Sequence, residues 1–102
     1  MNRFDTKDPS EKITLTFDFT SGLAVGETLS GTPTAMISVV LGTDPAPMAI
    51  MNGVASLDAT SKMVFVPVQA GYADCDYLIK VVCATSNATK VLALSSVLSV
   101  RS

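Results

Sequence analysis

The sequence of 102 residues contains no histidine and no tryptophan, and only 16% of its residues are charged. The absence of histidine removes the commonest general base, the Ser–His and Cys–His nucleophile pairs and most zinc sites. An average soluble domain carries about 25% charged residues, so this chain is short of charge. We therefore predict no catalytic residue, no bound metal and no cofactor.

Cysteine is scarce, and the two that are present, Cys75 and Cys83, cannot close a zinc site by themselves. If both lie on one strand, the eight positions between them span roughly 26 Å at about 3.3 Å per residue. A disulfide needs Cα atoms closer than about 7 Å. The expected state is two buried thiols.

Clustered positive charge is also missing, because the seven Lys and Arg residues are scattered along the chain. A groove that follows a phosphate backbone needs clustered cations. No apolar run reaches the roughly 18 residues of a membrane helix. The start of the chain is polar where a signal peptide would be apolar. We expect a protein that is made in the cytoplasm and binds neither nucleic acid nor a membrane.

Carboxylates come close together at Asp74 and Asp76, which would share one side of a strand. Such a pair could contribute to a calcium site, but it supplies too few ligands alone, and a solvated turn is the other interpretation. Tyr72 and Tyr77 could present their hydroxyls to a ligand. A tyrosine just after a turn on a sandwich strand more often packs with its hydroxyl bonded to the backbone.

What the sequence does contain is apolar alternation with a period of two. In the predicted strand over 12–19, one side carries apolar residues and the other polar ones, which predicts one buried face. The apolar side consists of Ile13, Leu15, Phe17 and Phe19, and the polar side of Thr14, Thr16 and Asp18. Further strands are predicted over 28–40, 62–69, 72–84 and 90–101, the last two forming a hairpin, and over 48–54, where a helix is the alternative.

The predicted strand over 28–40 contains Pro33, which cannot donate to a strand ladder and indicates an edge, a bulge or a break. Its best-buried part is expected at Met36–Leu41. About seven short strands with turn residues between them predict an all-β fold, an antiparallel β-sandwich.

Apolar residues make up 48% of the chain, which is high for so small a body. A small domain has much surface to cover, so we expect exposed apolar area that a partner buries. The plainer interpretation is that Ala and Val raise the count while Ser and Thr cover the surface.

Charge is concentrated at the N-terminus, and we predict an extended arm over residues 1–11 followed by one domain over 12–102. An arm can order on a neighbouring molecule and enlarge an interface. Phe4 is the candidate anchor for a partner's pocket, and Arg3, Lys7 and Asp8 are candidate rim contacts. A frayed terminus is the alternative.

Three short motifs lie in the first third of the chain: Phe4-Asp5-Thr6-Lys7-Asp8-Pro9-Ser10-Glu11, Leu15-Thr16-Phe17-Asp18-Phe19 and Leu23-Ala24-Val25-Gly26-Glu27-Thr28-Leu29. Together they resemble a family of small proteins encoded by tailed bacteriophages and prophages. The chain departs from the family's pattern in carrying Phe19 where relatives often have Trp, and in its lower charge.

The resemblance implies an immunoglobulin-like sandwich and a structural role in the virion, as head decoration, head fibre, or neck or tail attachment. The implied partners are other virion proteins of the capsid, neck or tail, and further copies of the chain as a homo-oligomer. A module that binds carbohydrate or a host surface is the alternative function. Sugar-binding platforms usually use exposed aromatics, and this chain has no Trp and two Tyr.

Overall fold

A computed structural model of the chain describes residues 2–4 and 6–102. Met1 and Asp5 lie outside the described residues, and so do the side chains of Asn2 and Arg3. The described secondary structure is β-strand apart from short 3-10 helices at Thr20–Gly22 and Pro47–Ile50, which confirms the predicted all-β class. The strands are β1 Asn2–Arg3, β2 Ile13–Asp18, β3 Leu29–Leu41, β4 Ser56–Leu57, β5 Met63–Val68, β6 Cys75–Thr85 and β7 Val91–Val100.

The strands form two sheets that stack as a β-sandwich. One sheet has the order β1-β7-β6-β3 and the other the order β2-β5-β4. Neighbouring strands run antiparallel, except that β1 runs parallel to β7. The predicted sandwich is therefore confirmed.

The strand β2 follows the alternation in the sequence. Leu15, Phe17 and Phe19 are buried and Ile13 is half-buried, whereas the Thr and Asp side chains between them are exposed. The inward residues face the valines of β5 in register, with Leu15 opposite Val66. Inter-sheet packing thus selects the face that the sequence pattern indicates.

The core lies between the two sheets and consists of the inward side chains of β2, β5, β6 and β7. Its completely buried members, with 0% exposure, are Val64, Val66, Val68, Tyr77, Ile79, Val81, Leu98 and Val100. Branched side chains predominate because they pack well on a pleated surface and have few rotamers to lose. The predicted β6–β7 hairpin is present, and the predicted buried thiols Cys75 and Cys83 are free on β6.

The prediction that Met36–Leu41 is the buried part of its strand is wrong. Met36, Val40 and Leu41 are 61%, 54% and 55% exposed. The reason is that side chains alternate between the two faces of the sheet, so only the inward residues of β3, such as Ile37, meet the other sheet. The register shifts between Ser30 and Thr34, around Pro33, as a proline in an edge strand favours.

The segment 48–54 does not form the predicted strand. It begins in the 3-10 helix Pro47–Ile50, with proline in the first turn and Ile50 buried. Proline fixes φ near the helical value and lacks the N–H that a strand ladder needs, which favours the helical turn here.

The start of β6 is tied to the preceding loop by Tyr77. Its ring is completely buried, and its hydroxyl accepts a hydrogen bond from the Tyr72 N–H at 2.9 Å and donates one to Asp44 Oδ2 at 2.7 Å. The predicted backbone-bonded hydroxyl is confirmed for Tyr77, whereas the Tyr72 side chain is 53% exposed. Burial raises the pKa of the Tyr77 hydroxyl, so it stays protonated and can donate to Asp44.

Replacing Phe17 by alanine tests the inward face of β2. Phe17 is 4% exposed, so Phe17→Ala should lower the free energy of unfolding by roughly 3–5 kcal/mol. Its exposed neighbour provides the control, because Thr16→Ala should change stability by less than about 1 kcal/mol. Urea unfolding monitored by circular dichroism measures both, and similar costs for the two variants would contradict the described face.

Candidate functional site

The N-terminal segment lies along the domain and does not project from it. Asn2 and Arg3 pair with Ser96 and Val97 of β7, and Lys7 forms a parallel bridge to Val100. The prediction of an arm that awaits a neighbouring molecule is therefore wrong for the described residues. The backbone is extended, but the open edge of β7 supplies its partners because it offers unpaired hydrogen-bonding groups.

Phe4, the candidate anchor for a partner's pocket, packs instead against its own core. Its ring meets Phe17 edge to face, with ring centroids 5.3 Å apart, and its N–H donates to the Val97 carbonyl at 2.9 Å. Edge-to-face contact is a favoured geometry for two aromatic rings. Phe4 remains half-buried, so part of the ring faces a groove beside β2.

Lys7, predicted as a rim contact, is only 1% exposed. Its ammonium group donates to the carbonyls of Ala70, at 2.6 Å, and Asp8, at 2.9 Å. Its backbone bonds to Ser99 and Arg101 beside β7. Burial lowers the pKa of the amine, although the nearby carboxylates oppose that effect. The rim prediction is wrong because this side chain fastens the N-terminal segment to the loop after β5.

Asp8 is exposed, but its carboxylate is hydrogen-bonded within the turn that follows it. It accepts hydrogen bonds from the Ser10 N–H, at 2.8 Å, and from the Ser10 hydroxyl, at 2.6 Å. These bonds hold the pKa of Asp8 below its ordinary value. The Arg3 side chain lies outside the described residues. Among the described side chains, the predicted interaction residues Phe4, Lys7 and Asp8 do not form one exposed surface.

An apolar surface lies elsewhere, on the side of the four-stranded sheet that faces away from the core. We call it the outer face. The register places its rows opposite one another across the sheet: Thr34 with Val82 and Ala93, Met36 with Lys80 and Ser95, and Ser38 with Leu78. Val97, the next residue in the last row, is buried. Beyond these rows it continues through Ala84 and Val91 at one end and Leu41 at the other.

Charge is almost absent from this sheet. In β3, β6 and β7 the charged residues are Asp76 and Lys80. Asp76 is buried and bonded to the Arg101 guanidinium at 2.9 Å. That pairing shows that the solvated-turn interpretation is wrong for Asp76. Lys80 is exposed, and its side chain makes no hydrogen bond or ion pair with another described residue.

The outer face was missed in the sequence because its strands are apolar on both sides. Met36 is 61% exposed and Val91 63% exposed, and Leu78 and Val82 are half-buried. At about 4.8 Å between strands and 3.3 Å per residue, three strands of ten residues cover roughly 500 Å², an area that includes polar positions such as Ser38, Lys80 and Ser95 as well as apolar ones. Exposed apolar patches of about 300–600 Å² on a monomer are often functional.

A groove of about 300 Å³ opens between the sheets, beside β2. It is lined by Phe4, Phe17, Asp18 and Ser95, among others. Asp18 is the carboxylate in this lining, and it already accepts hydrogen bonds from the Thr20 N–H and hydroxyl. These hydrogen bonds hold the pKa of the Asp18 carboxyl below its ordinary value, so this carboxylate is engaged by its own turn.

The described part of the chain contains neither a metal-binding cluster nor a membrane-spanning helix. Within residues 2–4 and 6–102, no three His, Cys, Asp or Glu side chains are placed to hold a metal ion. No helix in the same ranges is long and apolar enough to cross a membrane. Comparisons of the chain with protein families, with curated proteins and with solved structures gave no match.

The role of the Lys7 hydrogen bonds can be tested by replacing Lys7 with methionine, which keeps the aliphatic stem and removes the donor. Lys7→Met should lower the free energy of unfolding by about 1–3 kcal/mol, because the part-buried hydrogen bond to the Ala70 carbonyl is lost. Lys12→Met is the matched control at an exposed position and should cost less than about 0.5 kcal/mol. Equal unfolding midpoints in urea for the two variants would show that Lys7 does not fasten the segment.

Proposed function

We propose that this chain is a non-enzymatic structural component of a bacteriophage virion that acts through protein–protein contacts. The roles that fit are head decoration or head fibre, and neck or tail accessory protein. Its partners are other virion proteins and further copies of itself, and it joins them after synthesis in the host cytoplasm. The observation that carries the proposal is the apolar outer face.

The outer face supports an assembly role through its composition. Its exposed positions present Met36, Val91 and Ala93 to solvent, with Lys80 as the exposed charge among them. Interface cores are depleted in charge and enriched in methionine and aromatic residues relative to the rest of a protein surface. A partner that covers this face removes apolar area from water and leaves a single cation to be matched.

An immunoglobulin-like topology belongs to the same proposal. If β2 to β7 correspond to strands B to G, the two sheets become B-E-D and G-F-C, the division found in immunoglobulin domains. The Tyr77 hydroxyl bonded to the Tyr72 N–H, at the start of β6, resembles the tyrosine corner of such domains. Both observations support the fold that the phage family implies.

The residues that carry the family resemblance support the fold more directly than they support a binding site. Lys7 fastens the N-terminal segment and Phe17 packs in the core. Gly26 adopts a positive φ of 79°, and Glu27 binds Lys90 at 2.7 Å. Because these residues make their contacts within the domain, we assign the intermolecular contacts of the virion role to the outer face.

The proposal is tested in particles of the phage that encodes the chain. We expect the protein to co-purify with density-gradient-purified virions in a fixed ratio to the major capsid protein, as measured by mass spectrometry. Met36→Glu should leave the fold intact, because Met36 is exposed and faces Lys80, and should reduce incorporation by about tenfold.

Val54→Glu is the matched control, because Val54 is 78% exposed and lies outside the outer face. Its incorporation should equal that of the wild type. Labelled protein located by electron microscopy distinguishes head from neck or tail. A chain that is absent from purified particles would overturn the proposal.

A further inference from the structure

The strand β2 has an open edge. Among the described residues it pairs only with β5, and no strand lies on its other side. An edge strand presents a row of unpaired N–H and C=O groups that can pair with another chain. The groove of about 300 Å³ lined by Thr16, Phe17 and Asp18 opens beside this edge, so the edge is accessible.

The pairing with β5 decides which backbone groups are free. The Phe19 N–H donates to the Lys62 carbonyl at 2.9 Å, which makes Phe19 and Lys62 a hydrogen-bonded pair. In an antiparallel ladder such pairs alternate with non-bonded ones. The backbone groups of Thr14, Thr16 and Asp18 therefore point to the open edge. Consistently, the carbonyl of Pro67, which lies opposite Thr14, accepts from Asn52 on the far side of β5.

The sequence of this edge complements itself when it is reversed. The segment Lys12-Ile13-Thr14-Leu15-Thr16-Phe17-Asp18 has a cation at one end, an anion at the other, and Leu15 flanked by threonines at its centre. When two such strands run antiparallel about Leu15, Lys12 lies opposite Asp18, Ile13 opposite Phe17, and Thr14 opposite Thr16. Cross-strand pairs of opposite charge and of threonine with threonine are favourable.

We infer that β2 pairs antiparallel with β2 of a second copy of the chain, across a twofold axis at Leu15. Each favourable pair then occurs twice, because a twofold interface repeats every contact. The three-stranded sheets of two copies become one continuous six-stranded sheet with the order β4-β5-β2-β2-β5-β4. The Thr14 and Thr16 backbone groups of each copy bond to those of Thr16 and Thr14 of the partner subunit.

The charged pair sets the register of this contact. Asp18 is exposed, and its hydrogen bonds from Thr20 lower its pKa, so it is ionised at neutral pH. Lys12 is exposed and makes no hydrogen bond or ion pair with another described residue. A register shifted to centre on Thr16 would place Asp18 opposite Thr14 of the partner subunit and leave Lys12 without a carboxylate.

The other exposed edges are less suited to pairing. The edge strand β3 contains register shifts at both ends, and shifts of this kind disrupt a ladder and twist the edge away. The edge strand β4 has two residues. By contrast, β2 pairs with β5 without a shift over its six residues. The regular edge is thus also the one whose sequence is self-complementary.

This inference rests on the proposed function, since it names a second copy as one partner in assembly. It concerns the edge of the three-stranded sheet, however, and the outer face belongs to the other sheet. Variants at the two places therefore separate the two proposals.

The test is a charge swap, measured by sedimentation equilibrium from micromolar to millimolar protein at low salt. We expect the wild type to double its mass from the 10.6 kDa of one chain. Lys12→Asp and Asp18→Lys should each weaken dimerisation by about tenfold, because each places two like-charge pairs in the interface. The double variant restores both opposite-charge pairs and should return to within about threefold of wild type.

Lys80→Asp is the matched control for Lys12→Asp, with the same charge change on the outer face, and its dimerisation should equal the wild type's. Amide hydrogen exchange gives a second measure, in which the Thr14 and Thr16 N–H groups should become protected as the protein concentration rises. Thr16→Pro removes an outward-pointing N–H without breaking a bond to β5, so it should fold and stay monomeric.

Three results would overturn the inference: a wild type that stays monomeric at millimolar concentration, a charge swap that fails to restore dimers, or dimers lost in Lys80→Asp alone. If the monomeric chain is nevertheless present in virions, only the edge pairing fails. If the chain dimerises as described but is absent from virions, only the virion role fails.

Discussion

The packing of two β-sheets face to face is the interaction on which the rest of this structure depends. Its centre is a layer of branched side chains in which Val64, Val66, Ile79 and Val81 have no exposure at all. Because side chains alternate along a strand, a slip of one residue would move each of these groups to the solvent side. The registers of β2 with β5 and of β6 with β7 are therefore fixed by what the core can bury.

The N-terminal segment extends this core to a place where the sandwich would otherwise be open. Phe4 covers the edge of Phe17, and Lys7 reaches the Ala70 carbonyl through a buried ammonium group. A buried charge is costly unless it is hydrogen-bonded, and here backbone carbonyls provide the acceptors. Charge at this end of the chain thus has a structural use, which is why its abundance did not indicate an exposed arm.

The two surfaces that remain for partners point in different directions. The outer face looks away from the four-stranded sheet, and the open edge of β2 lies in the plane of the three-stranded sheet. A subunit with two contacts in different directions can link into assemblies larger than a dimer. Burial of apolar area on the outer face contributes free energy of association, whereas the charged ends of the β2 edge determine the register and the specificity of pairing.

The sequence by itself determined the all-β class, the sandwich, the span of β2 and which of its faces is buried, because period-two alternation is a local property. It also predicted the β6–β7 hairpin, the buried thiols Cys75 and Cys83 and the backbone-bonded Tyr77. The sequence did not predict the outer face. Strands such as β3 are apolar on both sides, and only the register of β3 with β6 and the stacking of the two sheets decided that Met36 faces solvent while Ile37 is buried. The burial of Phe4 and Lys7 was likewise decided by tertiary contacts, which no local pattern encodes. Lys7, for example, contacts Ala70, which lies more than sixty positions away in the chain.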